Sequence, residues 1–160
     1  MSRGGIIKVT EPAAGVASKT GDAETMLCIW LVDDNAGCCE SLSWLLNAEP
    51  RVHCPRSFSS VSSLLAALRQ ESPPDAILMD VHMPVVNGIQ AIHPIRNLTP
   101  RTLVLMLTSF FDHRLKEEAL AAGAADFLLE RHLPAQMNAA FRAAAVRFGL
   151  PCRTHGLTDQ

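Results

Sequence analysis

The amino-acid sequence predicts an α/β fold in which a parallel sheet of five strands carries helices on both faces. Short apolar runs alternate with amphipathic segments between residues 27 and 148. Continuous apolar runs are typical of parallel strands that are buried on both faces. Three of these runs end in polar side chains, at Asp33-Asp34, Asp80 and Thr108. Ligands of open α/β sheets bind outside the carboxyl ends of the strands, so these ends predict one shared site for a divalent cation and a phosphoryl group.

The first predicted strand covers residues 27–32, and a helix follows over residues 36–48. Leu42, Leu45 and Leu46 recur on one face of that helix. Pro50 ends it, because the residue before a proline disfavours the helical conformation. A short second strand is predicted at residues 52–54.

The second helix begins at Ser59 or Ser60, whose hydroxyl suits an N-cap. Its apolar residues recur at helical spacing and are Val61, Leu64, Leu65 and Leu68. Pro73-Pro74 then break the chain before a third strand at residues 76–79. The third helix, at residues 88–96, is a weak prediction because Pro94 lies near its end.

The fourth strand is predicted at residues 103–107, and Asp112 and Gly123 mark the start and end of the fourth helix. A short fifth strand covers residues 126–129. Pro134 suits the first turn of a final helix that extends to about residue 148. The inner stripe of that helix comprises Met137, Phe141, Ala144 and Phe148. Repeated alternation of strand and helix favours a parallel sheet.

Bulk composition excludes several classes of protein. A net charge of −2 provides no basic field for nucleic-acid binding by this segment. No apolar run approaches the roughly 20 residues of a membrane span, and the N-terminus lacks the apolar core of a signal peptide. The five cysteines show no CxxC spacing, which favours reduced thiols. We therefore expect a cytoplasmic protein without membrane contact.

Several motifs follow one another along the chain, with 46 residues between Asp34 and Asp80 and 28 between Asp80 and Thr108. Together they resemble the receiver domain of response regulators, the CheY-like module of two-component phosphorelay signalling. The resemblance implies a flavodoxin-like (βα)5 doubly wound fold over residues 26–148, preceded by a flexible leader at 1–25 and followed by a tail or linker at 149–160. The matching pieces are Val32-Asp33-Asp34-Asn35, Leu78-Met79-Asp80-Val81-His82-Met83-Pro84, Gly88, Leu107-Thr108-Ser109 and Ala122-Gly123-Ala124-Ala125-Asp126-Phe127-Leu128-Leu129.

The resemblance implies that Asp80 is the phospho-acceptor, which forms an acyl phosphate. Asp33 and Asp34 would hold Mg²⁺, with Asp80 and the backbone carbonyl of His82 as further protein ligands. The phosphoryl donor would be a histidine kinase or a phosphotransfer protein. The chain would catalyse only its own phosphorylation and dephosphorylation and is otherwise not an enzyme.

The resemblance also implies a switch. Thr108 would donate its hydroxyl to a phosphoryl oxygen, and Phe127 occupies the position of the family's rotating aromatic residue. A phosphoryl group carries about −1.5 to −2 charges, and phosphorylation would bias a two-state surface around the fourth helix, the last strand and the last helix. Homodimerisation through helical faces is compatible with the family.

Three features of the sequence that differ from the family pattern bear on function. Glu130 occupies the position of the family's lysine, which reverses the charge next to the phospho-acceptor. The sequence leaves three possibilities for the Glu130 side chain: it faces the pocket, turns outward or takes up a proton. Arg131 is a candidate to replace the missing cation. The proline that usually follows the lysine, and with it the expected cis peptide bond, is missing. The resemblance also implies that the positions of the bulky residues His82 and Phe110 border the path of the attacking water, and we expect these residues to slow or reshape dephosphorylation.

Two alternative functions, and the nature of the output, remain open at this point. Glu130 favours a pseudo-receiver, an interaction module that signals without phosphorylation. A phosphatase of the haloacid-dehalogenase kind is less favoured, because it needs an aspartate where His82 stands. Residues 156–160 faintly resemble the lead-in to a LuxR-type helix-turn-helix domain, so DNA binding would occur only through an effector domain that lies outside this chain.

Overall fold

The computed structural model describes residues 27–50, 52–133, 136–137 and 139–140. Five parallel strands form one sheet in the order β2-β1-β3-β4-β5, which confirms the predicted α/β fold. The strands are β1 (Leu27–Val32), β2 (Val52–Phe58), β3 (Ala76–Asp80), β4 (Leu103–Thr108) and β5 (Asp126–Leu129). The helices are α1 (Ala36–Ala48), α2 (Val61–Gln70), α3 (Gly88–Leu98) and α4 (His113–Ala122), and a 3-10 turn at Glu130–His132 follows β5.

Parts of the sequence-based prediction lie outside the described residues. These parts are the leader at 1–25, the tail at 149–160 and most of the final helix, including Phe141, Ala144 and Phe148 of its predicted stripe. Met137 and Ala140 are described as helical, and their side chains are buried against the sheet. These two residues agree with the predicted inner face of that helix.

The sheet carries an apolar core on each face, because successive residues of a strand point to opposite sides. In β1, Trp30 and Val32 pack into the core beneath α2, α3 and α4. Ile29 and Leu31 pack into the second core, with α1 and Met137. Helices therefore cover both faces of the sheet, which explains why the strand sequences are uninterrupted apolar runs.

Strand β2 extends further than the predicted residues 52–54, as it runs to Phe58 through Pro55. It is an edge strand, and its pairing with β1 shifts register between Cys28 and Trp30. A proline fits an edge strand or a bulge, because its missing N–H interrupts no continuous ladder there. The proline and the exposed residues around it hid the rest of this strand from a pattern-based prediction.

Helix α3 also extends beyond its predicted end, from residue 96 to Leu98, despite Pro94 in its interior. Ile92 and Ile95 are fully buried and hold the inner face of this helix against the sheet. The Thr99 hydroxyl then donates to the Ile95 carbonyl at 3.0 Å and helps to end the helix. Burial therefore outweighs the local penalty of the proline.

The other helix ends agree with the predicted capping residues. The Ser60 hydroxyl accepts a hydrogen bond from the Ser63 N–H, and the Asp112 carboxylate accepts from the N–H of Arg114 and Leu115. Gly123 adopts a left-handed conformation, with φ of 104°, after α4. No helix in the described part of the chain is long and apolar enough to cross a membrane.

The described cysteines are free thiols. Burial raises the pKa of the Cys39 and Cys54 thiols, which keeps them protonated and unreactive. Their role is therefore in packing. Cys152 lies outside the described residues.

Candidate functional site

The candidate site lies at the carboxyl end of the central strand, β3. Its neighbours are β1 on one side and β4 on the other. Val32 pairs with Met79, and Asp80 pairs with Leu107. Continuing this register by one residue places Asp33 beside Asp80 and places Thr108 just beyond it. This is also the point at which the strand order reverses, where open α/β sheets bind ligands.

Three carboxylates meet at this edge of the sheet. Asp33, Asp34 and Asp80 each offer an oxygen, and these atoms all lie within 4.8 Å of one another. Asp33 is only 3% exposed, Asp80 is half-buried and Asp34 is exposed. Hard oxygen donors at this spacing suit Mg²⁺, which usually retains several waters and needs few protein ligands.

Asp33 is held by its surroundings in a defined orientation. The backbone N–H of Asn35 donates to Asp33 Oδ1 at 2.7 Å, which favours the ionised form. Burial has the larger effect and raises the pKa of Asp33, and the charges of Asp34 and Glu130 raise it further. Asp33 is therefore a carboxylate whose negative charge its protein surroundings compensate only in part.

Asp80 has a similar environment. Burial is the main reason why its pKa is raised, and the negative charges of Asp33 and Glu130 act in the same direction. A hydrogen bond from the His82 backbone N–H and the nearby His82 ring lower the pKa without cancelling the rise. Two partly buried carboxylates that repel each other fit a bound divalent cation, which would offset the repulsion.

His82 and Phe110 lie at the rim of the site. The His82 side chain is exposed, and its backbone N–H points to Asp80. The ring of Phe110 is 79% exposed. Their effect on an attacking water, and ligation by the His82 carbonyl, remain predictions.

The Thr108 side chain is fully buried, and its hydroxyl has a local partner. Thr108 Oγ1 donates to the Phe110 carbonyl at 3.0 Å, and the Phe110 N–H lies 3.3 Å from the same oxygen. Phe127 is also buried, and a cavity of about 400 Å³ borders it, between Lys116 on α4 and Gln136. The lining of this cavity contains none of the residues of the acidic pocket, and the Phe127 side chain itself packs in the core beneath α2, α3 and α4.

Glu130 faces the pocket, which resolves one of the alternatives left open by the sequence. Its Oε2 accepts a hydrogen bond from Ser109 Oγ at 2.9 Å. Its negative charge raises the pKa of both Asp33 and Asp80. Arg131 is exposed in the 3-10 turn and is not among the charges that act most on Asp80. The described residues contain no cis peptide bond.

Two supporting residues belong to the matching motifs, but the sequence alone gives them no physical role. Ser109 is one of them, because an exposed serine after a strand gives no pattern of its own. Gly88 matched the family without a physical reason. In the structure, a Cβ at Gly88 would lie 2.2 Å from the backbone carbonyl oxygen of Asp80. Gly88 therefore allows α3 to start against the strand that carries Asp80.

Comparisons with known proteins agree with this geometry. A family model described as "Response regulator receiver domain" matches residues 29–142. The uncharacterized transcriptional regulatory protein YxjL of Bacillus subtilis is 34% identical over 115 residues, which cover 72% of this chain and 52% of that protein. The chain thus spans about half, or less, of the length of the curated relatives that it matches.

Solved structures show the same fold. The response regulator domain of Thermotoga maritima CheB has a TM-score of 0.65 and 25% identity, and the match covers 74% of this chain and 96% of that one. A LuxR-family response regulator from Aurantimonas has a TM-score of 0.69 and 24% identity, over 77% of this chain and 87% of that one.

Proposed function

Because the chain belongs to the response regulator receiver family, in which phosphorylation switches an output, we propose that Asp80 is its phospho-acceptor. Asp33, Asp34 and Asp80 would hold Mg²⁺, with the His82 backbone carbonyl as a further ligand. The observation that carries this proposal is the meeting of the three carboxylates at the end of the central strand. The family match argues against the dehalogenase alternative.

In the proposed reaction, an Asp80 carboxylate oxygen attacks the phosphorus of a phosphohistidine on a kinase or phosphotransfer protein. The O–P bond forms as the P–N bond breaks, and the leaving imidazole takes up a proton. Bound Mg²⁺ would supply the positive charge that keeps the carboxylates ionised and neutralises the phosphoryl oxygens. Asn35 and His82, through their backbone N–H groups, orient Asp33 and Asp80.

The switch would begin at Thr108. Its hydroxyl now donates to the Phe110 carbonyl, so it must release that carbonyl before it can donate to a phosphoryl oxygen. This exchange would move the segment that follows β4. Phe127, which occupies the position of the family's rotating aromatic residue, would turn in response to this movement. Phosphorylation would thereby change the surface formed by α4, β5 and the final helix.

The wider role is also a proposal. We propose residues 26–148 as the receiver domain and a cytoplasmic location for the protein. Relatives such as YxjL are described as transcriptional regulatory proteins, and this supports DNA binding through an output domain in a longer protein. Homodimerisation is a further proposal, and it would be measured on the phosphorylated protein.

The direct test is incubation with Mg²⁺ and acetyl phosphate, followed by the intact mass. We expect one phosphoryl group to be added with Mg²⁺ and none with EDTA, because the three carboxylates would otherwise repel the incoming anion. Mg²⁺ alone is expected to raise the unfolding temperature. Mg²⁺ binding without a mass gain, either from acetyl phosphate or from phosphohistidine donors, would favour a pseudo-receiver instead.

Removing the bulk at the rim is expected to speed dephosphorylation. His82→Asn and Phe110→Glu each open the path of the attacking water beside Asp80, and we expect the half-life of the phosphorylated protein to fall several-fold, on the order of 1 kcal/mol in barrier height. Loss of the phosphoryl mass with time after removal of donor measures this. An unchanged half-life in both variants would show that these side chains do not limit water access.

A further inference from the structure

Two adjacent residues at the end of β4 have hydroxyl groups that are engaged in different ways. Thr108 donates to the nearby Phe110 carbonyl at 3.0 Å. Ser109 donates across to Glu130 Oε2 at 2.9 Å. Thr108 and Leu129 are paired in the sheet and are the last residues of β4 and β5. Ser109 and Glu130 therefore directly follow two neighbouring strands. The second bond therefore ties the segment after β4 to the end of β5.

This cross-strand bond restrains the segment that the switch must move. Thr108 can turn towards a phosphoryl group only if its bond to the Phe110 carbonyl breaks. Ser109 lies between these two residues, and its bond to Glu130 fixes the same stretch of backbone. As long as that bond persists, it favours the arrangement in which Thr108 faces Phe110.

Glu130, the acceptor of this bond, also interacts electrostatically with Asp80. Glu130 is half-buried, and its negative charge acts on Asp33 and on Asp80. Because the acyl phosphate carries about −1.5 to −2 charges and replaces a carboxylate of charge −1, a phosphoryl group on Asp80 would add up to about one negative charge close to Glu130. Like charges in a partly buried site repel strongly, so phosphorylation would drive Glu130 away from the pocket and from Ser109.

We propose that Glu130 is a positioning residue whose hydrogen bond to Ser109 holds residues 108–110 in the unphosphorylated arrangement, and that a phosphoryl group on Asp80 releases this bond by repelling Glu130. This inference rests on the proposed function. Under this inference, the negative charge of Glu130 at the family's lysine position has two effects. It stabilises the unphosphorylated arrangement through Ser109, and it makes the release of that bond depend on the charge of the phosphoryl group.

Ser109→Ala is the main test, because it removes the bond and leaves the charge of Glu130 in place. Without Mg²⁺ or a phosphoryl analogue, we expect the amide resonances of residues 108–111 to move towards their positions in the protein bound to Mg²⁺ and beryllofluoride. Beryllofluoride should also bind about two- to tenfold more tightly, the range that corresponds to one net hydrogen bond. Ser109→Thr, which keeps the hydroxyl, should restore the wild-type behaviour.

Glu130→Gln separates the bond from the charge, because the amide oxygen can still accept from Ser109. The spectrum of the unliganded variant should therefore match the wild type, while beryllofluoride binds more tightly because the repulsion is gone. Ser41→Ala, at an exposed serine on α1, is the matched control and should change neither measurement.

The outcomes distinguish this inference from the proposed function. If the wild type binds beryllofluoride and Ser109→Ala leaves both the resonances and the affinity unchanged, the Ser109–Glu130 bond has no role in the switch. The same conclusion follows if Glu130→Gln moves the unliganded resonances as far as Ser109→Ala does. If the wild type fails to bind beryllofluoride with Mg²⁺, the proposed function itself is overturned, and the inference with it.

Discussion

Asp80→Asn is expected to abolish the phosphoryl gain from acetyl phosphate and, in the absence of metal, to stabilise the protein. The loss follows from chemistry, since the carboxylate oxygen is the nucleophile and an amide oxygen does not replace it. Intact mass should show no phosphoryl group under conditions that modify the wild type fully. A phosphorylated Asp80→Asn protein would place the acceptor elsewhere.

The gain in stability follows from the environment of Asp80. Burial and the neighbouring negative charges raise the pKa of this carboxyl, so the folded state disfavours its ionised form. A raised pKa stabilises the fold below the unfolded value of about 3.9, and this contribution is lost as the pH rises through the folded pKa. At pH 7 without metal, we expect Asp80→Asn to exceed the wild type in unfolding free energy by on the order of 1 kcal/mol.

Urea unfolding in EDTA measures this difference, which should shrink as the pH is lowered through the raised pKa of folded Asp80, because the folded carboxyl then takes up its proton, and should vanish below the unfolded value of about 3.9. Mg²⁺ should reverse the order, because it stabilises the wild type more than the variant. Asp75→Asn is the matched control, since Asp75 lies just before the other end of the same strand and its carboxylate accepts from the Cys28 N–H at 2.8 Å. That variant should keep phosphorylation and gain no stability from loss of its charge.

Most of what the sequence could predict about this site comes from the residues at the ends of the strands. An apolar run that stops at Asp80, and another that stops at Asp33, determine both the strand boundaries and the position of the carboxylates. Parallel strands bring such ends to one edge, so the cluster follows from periodicity and topology alone. The observed separation within 4.8 Å is a consequence of those two facts.

The orientation of Glu130 was not predictable in the same way. The sequence allowed the side chain to face the pocket, face outward or be protonated, because its direction depends on Ser109, a partner 21 residues away. The full length of β2 was hidden for another reason. Pro55 contradicts a strand locally, and only the edge position and the shifted register accommodate it.

Gly88 shows how a single backbone contact positions the whole site, and Gly88→Ala is the second substitution with a large expected effect. A Cβ there would lie 2.2 Å from the Asp80 carbonyl oxygen and 2.9 Å from Met106 Cε. The methionine can move, whereas the carbonyl belongs to the central strand and cannot move without displacing Asp80. We expect a loss of about 1–3 kcal/mol in unfolding free energy, together with weaker Mg²⁺ binding, measured by urea unfolding and by calorimetry.

The sign of this effect depends on contact and not on helix propensity. Alanine is generally favoured over glycine in a helix by roughly 1 kcal/mol, so propensity alone predicts that Gly88→Ala is stabilising. Gly37→Ala provides the comparison, because its Cβ would meet only Asn35 Oδ1, the atom that caps α1, at 3.3 Å, and a shift of a few tenths of an ångström relieves that contact. We expect Gly37→Ala to be neutral or stabilising. Equal stability changes in both variants would mean that the approach of Gly88 to Asp80 does not constrain the phospho-acceptor strand.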